Sequence, residues 1–318
     1  MTGSIKKVLL ATDFSNWAQR AEEYACRLAA SWHAHLTVMT VLEFPPGLNP
    51  DYPVNQQYLT DRMKEASEQL TDYGRRLAPL ALQMSTRIAT GLPSEEITAA
   101  ARAEASDLIV LGTRGKSGLA HVLLGSTAER VIRTAPCPVL AVHGSKAREV
   151  SQATGRAPSK LLVPIDFSDC SLDALEYAAL VAAQNKAAIE LLHVLEPVSY
   201  GLDFTLGHSD DRRTQRERLT QRLDALSAAL SAAGLTVANR LCGGVPADAI
   251  LEEAQTSSSD LIVMGTHGRR GLSHVMAGSV AEAVLRRATC PVLTVRSPKY
   301  APGYRPVVSV STGAASGH

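Results

Sequence analysis

Residues 107–142 read "DLIVLGTRGKSGLAHVLLGSTAERVIRTAPCPVLAV", and residues 260–295 read "DLIVMGTHGRRGLSHVMAGSVAEAVLRRATCPVLTV". Of these 36 positions, 23 are identical. Each stretch carries a short, wholly apolar run into spaced glycines. A Gly-Ser pair then opens a segment with helical spacing, and a second apolar run closes the stretch. Apolar runs of this length read as strands buried in a sheet, and the segment between them as a helix.

The repeat extends outward from this stretch. "KVLLATDFS" at 7–15 matches "KLLVPIDFS" at 160–168, and "GLP" at 91–93 matches "GVP" at 244–246. Every match is shifted by 153 residues, so the repeated unit is the size of a domain and a short-period solenoid is excluded. The expected organisation is a first domain over residues 1–144, a linker over 145–158, a second domain over 159–297 and a flexible tail over 298–318. "GSKAREVSQATGRAPS" at 144–159 is small and polar without apolar periodicity, as linkers are. The last residues are rich in Pro, Gly and Ser and fall outside the repeat.

Within a copy, strands alternate with helices. "KKVLLAT", "HLTVMTVLE", "ALQMSTRIAT", "SDLIVLG" and "CPVLAVH" read as strands. Helices are expected from Trp17, where Trp17, Ala21, Tyr24, Ala25 and Leu28 recur at three- and four-residue spacing, from about 55 to 78, from Pro93 and Ser94 as a capped start, and from Gly125 and Ser126. Such alternation implies parallel pairing, right-handed crossovers and helices on both sheet faces.

Composition removes several classes of function. The chain has 318 residues, 45% of them hydrophobic and 20% charged, as in ordinary globular proteins. A formal net charge of +1 gives no field for nucleic acid or an anionic membrane, and 4% aromatics offers little for base stacking. The five cysteines (Cys26, Cys137, Cys170, Cys242 and Cys290) form no C-x-x-C pair, so neither a disulfide framework nor a zinc site is expected. "MTGSIKKVLLATDFS" lacks a signal peptide's apolar stretch, and no apolar run reaches the ~18 residues that span a bilayer, so a cytoplasmic protein without membrane attachment is expected.

In open parallel sheets, ligands bind beyond the carboxyl ends of strands where the strand order reverses. The first strand ends at Asp13 (Asp166 in the second copy) and the fourth at Gly112 (Gly265). If those strands are neighbours, the aspartate and the glycine loop face one crevice. Glycines leave no Cβ between backbone and ligand, and consecutive N–H groups can form an anion-binding concavity. The helix opened by Gly125 and Ser126 turns unsatisfied N–H groups and its positive dipole end toward the same place. A phosphate chain would be held there mainly by backbone donors. The alternative is that the glycines serve only a tight turn and close packing. "GTRGKS" is not a Walker loop, because Val110 stands where the motif's first glycine would be. No Gly-x-Gly-x-x-Gly follows the first strand.

The spacing Gly-x-x-Gly, nine residues, Gly-Ser resembles the nucleotide-binding signature of the universal stress protein family. It appears as Gly112, Gly115, Gly125 and Ser126, and again as Gly265, Gly268, Gly278 and Ser279. "ATDFS", "PIDFS" and the "CPVL" ends are similar to the family as well, and the resemblance covers both copies. It implies two open five-stranded parallel sheets of order 3-2-1-4-5, Rossmann-like, with helices on both faces. It also implies ATP binding, with Mg2+ accompanying the phosphates. Carried over position by position, Thr12, Asp13 and Val41 border the adenine, as do Ile165, Asp166 and Val194. The glycines with Ser126 and Thr127, or with Ser279 and Val280, hold ribose and phosphates.

The copies differ around this signature. Ala11 and Thr12 become Pro164 and Ile165, Arg114 becomes His267, and Lys116 becomes Arg269, so unequal affinities are expected. His121 and His274 occupy equivalent positions, but no nucleophile-base set accompanies them and no catalytic residue is assigned. One carboxylate per crevice is thin support for a bound metal, and no metal ligand is assigned. The leading expectation is a nucleotide-dependent stress-response or signalling module. A slow ATPase or phosphotransferase and a nucleotide-independent interaction protein are the alternatives. Apolar last strands, "PVLAVH" and "PVLTVR", invite edge pairing, so an intramolecular pseudo-dimer is expected, open to further self-association and to a protein partner.

Overall fold

The computed structural model describes residues 4–43, 52–113, 124–143, 157–196, 209–267 and 278–296. The first copy supplies strands β1 (Lys7–Ala11), β2 (His35–Leu42), β3 (Met84–Thr90), β4 (Leu108–Gly112) and β5 (Val139–Val142). The second supplies β6 (Lys160–Pro164), β7 (Ala188–Leu195), β8 (Val237–Gly243), β9 (Leu261–Gly265) and β10 (Val292–Val295). Helices α1 (Gln19–Trp32), α2 (Pro53–Leu77), α3 (Pro93–Ala103) and α4 (Ser126–Thr134) alternate with the first set. Helices α5 (Asp169–Asn185), α6 (Ser209–Ala232), α7 (Pro246–Thr256) and α8 (Ser279–Arg287) alternate with the second.

The strand order is β3-β2-β1-β4-β5-β10-β9-β6-β7-β8. Each half therefore has the expected 3-2-1-4-5 order, but the expectation of two separate sheets is corrected: there is one sheet of ten strands. Pairing is parallel within each half and antiparallel at the seam, where Val292 faces Ala141, Leu293 faces Leu140 and Thr294 faces Val139. The reason is local. β5 and β10 are fully buried four-residue apolar strands, "VLAV" and "VLTV", each with one unpaired edge. Joining those edges satisfies the backbone groups that either half alone would leave open.

Strand alternation divides the side chains into two apolar layers. Val8, Leu10, Val110 and Val163 pack under α1, α2, α5 and α6. Leu9, Ile109, Leu162 and Ile262 pack under α3, α4, α7 and α8. Each layer runs through both copies without a break. Polar ties cross the seam as well. Trp32 Nε1 donates to Asn185 Oδ1 at 3.1 Å, and Tyr177 donates its hydroxyl hydrogen to the Asp107 carbonyl at 2.9 Å. The outer edges, β3 and β8, carry Arg87 and Arg240, paired with Glu104 at 3.3 Å and Glu253 at 3.2 Å. Charges in mid-edge discourage further strand addition.

Two local expectations change. The α3 start is not capped by a side chain: Leu92 is the N-cap, Pro93 occupies the first turn, and buried Ser94 instead accepts at its carbonyl from the Thr98 hydroxyl at 2.7 Å. Helix α1 begins at Gln19, so Trp17 belongs to the turn before it.

A shared core predicts shared unfolding. Leu293→Ala, at the seam and 2% exposed, should cost about 2–5 kcal/mol, as such truncations do. The whole chain should still melt in one transition, with circular dichroism and tryptophan fluorescence coinciding. Two resolved transitions would contradict the continuous sheet.

Candidate functional site

β1 lies between β2 and β4 and is parallel to both, with Ala11 level with Leu111. β6 holds the same place between β7 and β9. The strand order reverses here, and in open parallel sheets the crevice for a ligand lies beyond the carboxyl ends of such strands. The adjacency on which the sequence argument depended is present in both copies. Because the seam is antiparallel, the two crevices open at opposite ends of the sheet.

The first wall is the turn after β1. Asp13 Oδ1 accepts the backbone N–H of Ser15 at 3.0 Å, and Asp166 Oδ1 accepts that of Ser168 at 2.9 Å. Between them Phe14 and Phe167 take left-handed conformations, with φ of 56° and 61°. A bulky residue occupies that region only when its surroundings insist on it. In the first copy Phe14 is also held by its N–H donating to Thr12 Oγ1 at 3.0 Å, and its ring meets Tyr73 edge-on at 6.3 Å. In the second, Phe167 lies between His193, 5.1 Å away, and the Arg222 guanidinium, 3.9 Å above its ring. Ser168 there adds its hydroxyl to Asp166 at 2.6 Å and caps α5 by accepting from Ser171 N–H at 3.3 Å.

The second wall is the glycine loop's base. Thr113 N–H donates to the Val142 carbonyl at 3.0 Å, and its own carbonyl accepts from Gly125 N–H at 2.7 Å. Thr266 does the same with Val295 at 3.0 Å and Gly278 at 2.7 Å. Each of these buried threonines thus bonds the adjoining last strand through its N–H and the N-cap glycine through its carbonyl. Gly125 and Gly278 are the N-caps of α4 and α8, and no side chain caps either helix. Ser126 and Ser279 are exposed, and Thr127 and Val280 half-buried, in the first turns. The uncapped amides fit an anionic group, since orphan N–H donors and the dipole both favour one. Val41 and Val194 are half-buried at the ends of β2 and β7, on the sheet face shared with Ala11 and Ala89 or with Cys242.

Thr12, Asp13, Val41, Gly112, Gly125, Ser126 and Thr127 stand at the carboxyl ends of β1, β2 and β4 and the start of α4, and Ile165, Asp166, Val194, Gly265, Gly278, Ser279 and Val280 at the matching places of the second copy. Gly115 and Gly268 lie outside the described residues, as do Arg114, Lys116, Arg269, His121, His274, the interval 144–156 and the residues from 297 onward. Gly265 also has a role without any ligand. A Cβ there would meet Cys170 Sγ at 2.8 Å and the Cys170 carbonyl carbon and oxygen at 2.9 Å. The first turn of α5 lies directly on this glycine.

Sequence reasoning missed Glu22. Its carboxyl is buried beneath the first crevice and accepts the Thr12 hydroxyl hydrogen at 2.5 Å. Burial raises its pKa above the usual carboxylate value, opposed by the Thr12 hydrogen bond and the Arg76 charge. It also missed Phe14 and Phe167, although Asp-x-Ser is a recognisable side-chain-to-backbone turn. Among the described residues no group of three or more His, Cys, Asp or Glu could hold a metal ion, and no helix is long and apolar enough to cross a membrane. The five cysteines are unpaired.

The fold is that of a duplicated, doubly wound α/β protein whose strand order reverses between β1 and β4 and again between β6 and β9. The model of the universal stress protein family matches residues 4–143 and again 158–296, and the chain belongs to that family. A universal stress protein of Mycolicibacterium smegmatis is 28% identical over 292 residues, 91% of this chain and 96% of that one. One from Methanocaldococcus jannaschii is 34% identical over 141 residues, 44% of this chain and 83% of that one. The crystal structure of a universal stress protein from Archaeoglobus fulgidus, 23% identical, covers 92% of this chain and 98% of its own with a TM-score of 0.68, which shows the shared fold.

Two outcomes follow from this geometry. Gly265→Ala should destabilise by about 1–3 kcal/mol through overpacking. Gly125→Ala, whose added carbon meets, among the described residues, the Thr113 carbonyl oxygen at 3.3 Å, should cost less than about 1 kcal/mol. Urea midpoints would rank them, and the reverse order would contradict the packing role. Burial also pushes the Cys137 thiol up to about 12 and the Cys290 thiol up to about 11. At pH 8 both remain protonated and should react with a thiol reagent far more slowly than free cysteine, because the thiolate is the nucleophile. Mass mapping of the labelled chain measures this, and rapid labelling of either would refute it.

Proposed function

We propose that the chain is a nucleotide-responsive stress protein that binds ATP, with Mg2+ on the phosphates, at both crevices. The single observation that carries this reading is the pair of uncapped helix starts, Gly125 and Gly278, each tied to a buried threonine beside the aspartate turn. Backbone amides in that position read phosphate, and an apolar strand end such as Val41 or Val194 offers a flat surface to a base. The glycine spacing of both copies supports the same reading, as does membership of the family.

In this reading ATP acts as an effector in the cytoplasm. It changes which conformation or partner surface the chain presents, and it does so only to the extent that it binds one state better than another. No residue is assigned to hydrolysis. A phosphoryl-transfer enzyme would need a water-positioning group and a charge-stabilising group at the γ-phosphate, and the described part of the crevice offers neither as an assembled set.

Isothermal titration of the full chain with Mg-ATP should give two sites per chain, and protein denatured after purification without added nucleotide should release ATP. Heat signals absent at millimolar Mg-ATP, with no nucleotide released, would overturn the proposal. Release of ADP with steady phosphate production would favour the enzyme instead.

A further inference from the structure

The two crevices are built on different foundations. Under the first lie two buried polar pairs. Thr12 donates to Glu22 at 2.5 Å while accepting from Phe14 N–H, and one turn further along α1 the Cys26 thiol meets the Tyr73 hydroxyl of α2 at 3.4 Å. Shifted by 153 residues, Thr12 becomes Ile165, Glu22 becomes Leu175, Cys26 becomes Ala179 and Tyr73 becomes Leu226. All four replacements are apolar and buried. The second copy thus shows that the fold needs no carboxyl at this place, and the first copy keeps one 7% exposed.

Keeping it has a cost, since a buried carboxylate loses hydration that Thr12 only partly replaces. The charged and titratable groups facing Glu22 are few. They are Asp13 at the end of β1, Glu23 and Cys26 on α1, and Arg76 and Tyr73 on α2. Asp13 and Glu23 disfavour a second negative charge, and Arg76 favours it. Thr12 makes the first pair matter to the crevice. Its oxygen holds both the Glu22 carboxyl and the backbone N–H that fixes the left-handed Phe14, directly after Asp13.

We propose that Glu22 is a positioning residue that makes nucleotide binding at the first crevice proton-linked, a property that Ile165 and Leu175 remove from the second. This rests on the reading of the crevices as nucleotide sites and adds the regulation of one of them. The direction follows from charge. Mg-ATP is anionic, so it binds better when Glu22 is protonated and the crevice floor carries one fewer negative charge. Affinity at the first crevice rises as pH falls through the Glu22 pKa, which burial sets above the ordinary carboxylate value. By reciprocity, bound nucleotide raises that pKa further. The second copy differs from the first at several crevice positions, Ile165 and His267 among them, so the comparison must be made within the first.

The experiment uses the full chain with Gly268→Asp, which places a carboxylate in the second glycine loop and leaves the first crevice to be read alone. Mg-ATP affinity is measured from pH 8 to 5.5 in this background, in it with Glu22→Gln, and in it with Thr12→Ile and Glu22→Leu together. The last pair transplants the second copy's side chains and guards against a Glu22→Gln chain that fails to fold. The parent should gain about fivefold or more in affinity on acidification beyond what either variant gains, the lower end of a typical coupling between two sites. The nucleotide's own protonation is common to all three chains and cancels. Parallel pH profiles in all three would overturn the proton link and leave nucleotide binding standing. Absence of binding in the parent at every pH would overturn the nucleotide reading and this inference with it.

Discussion

The parallel hydrogen-bond ladder between β1 and β4, repeated between β6 and β9, is the constraint on which the rest depends. It joins the first strand of each copy to the fourth, and the strand order reverses at that junction. Asp13 and Gly112 are separated by 99 positions in the chain, yet the ladder places the ends of their strands side by side. Without that pairing the aspartate turn and the glycine loop would be two unrelated surface features.

A second pairing sets the relation between the copies. The antiparallel seam of β5 and β10 buries the last apolar edges and fuses two five-stranded sheets. It also ties the chain just after each last strand to the other copy. Val142 and Val295 accept from Thr113 and Thr266, and the next residues reach across: His143 Nε2 lies 2.6 Å from the Leu285 carbonyl on α8, and Arg296 donates to the Ala135 carbonyl after α4 at 3.4 Å. The helices so contacted are those whose first turns border the opposite crevices.

Much of this could be read from residues alone. A constant shift of 153 positions exposed the duplication, strand and helix periods gave the layer order, and apolar "VLAV" and "VLTV" pointed to edge pairing. What stayed hidden depended on tertiary contact. The pairing of the two last strands within the chain was expected, but that it makes one continuous ten-stranded sheet emerged only from the fold. Gly265 was read for its freedom beside a ligand, but helix α5 lies against it and forbids a Cβ on packing grounds. Glu22 sits in an ordinary amphipathic helix, one acidic residue in "QRAEEYACRLAASW", and only the fold turns it inward onto Thr12. Ser94 had the composition of a cap and serves instead as a buried carbonyl acceptor.

The central claim is that backbone amides at the first turns of α4 and α8 grip the phosphates of an adenine nucleotide. Amide-resolved NMR of the uniformly labelled chain, titrated with Mg-ATP, tests it most directly. The account predicts saturable shifts at Gly125, Ser126 and Thr127 and at Gly278, Ser279 and Val280, with the β3 and β8 edges unmoved. Saturable shifts confined to other surfaces, with those six amides unchanged, would contradict it.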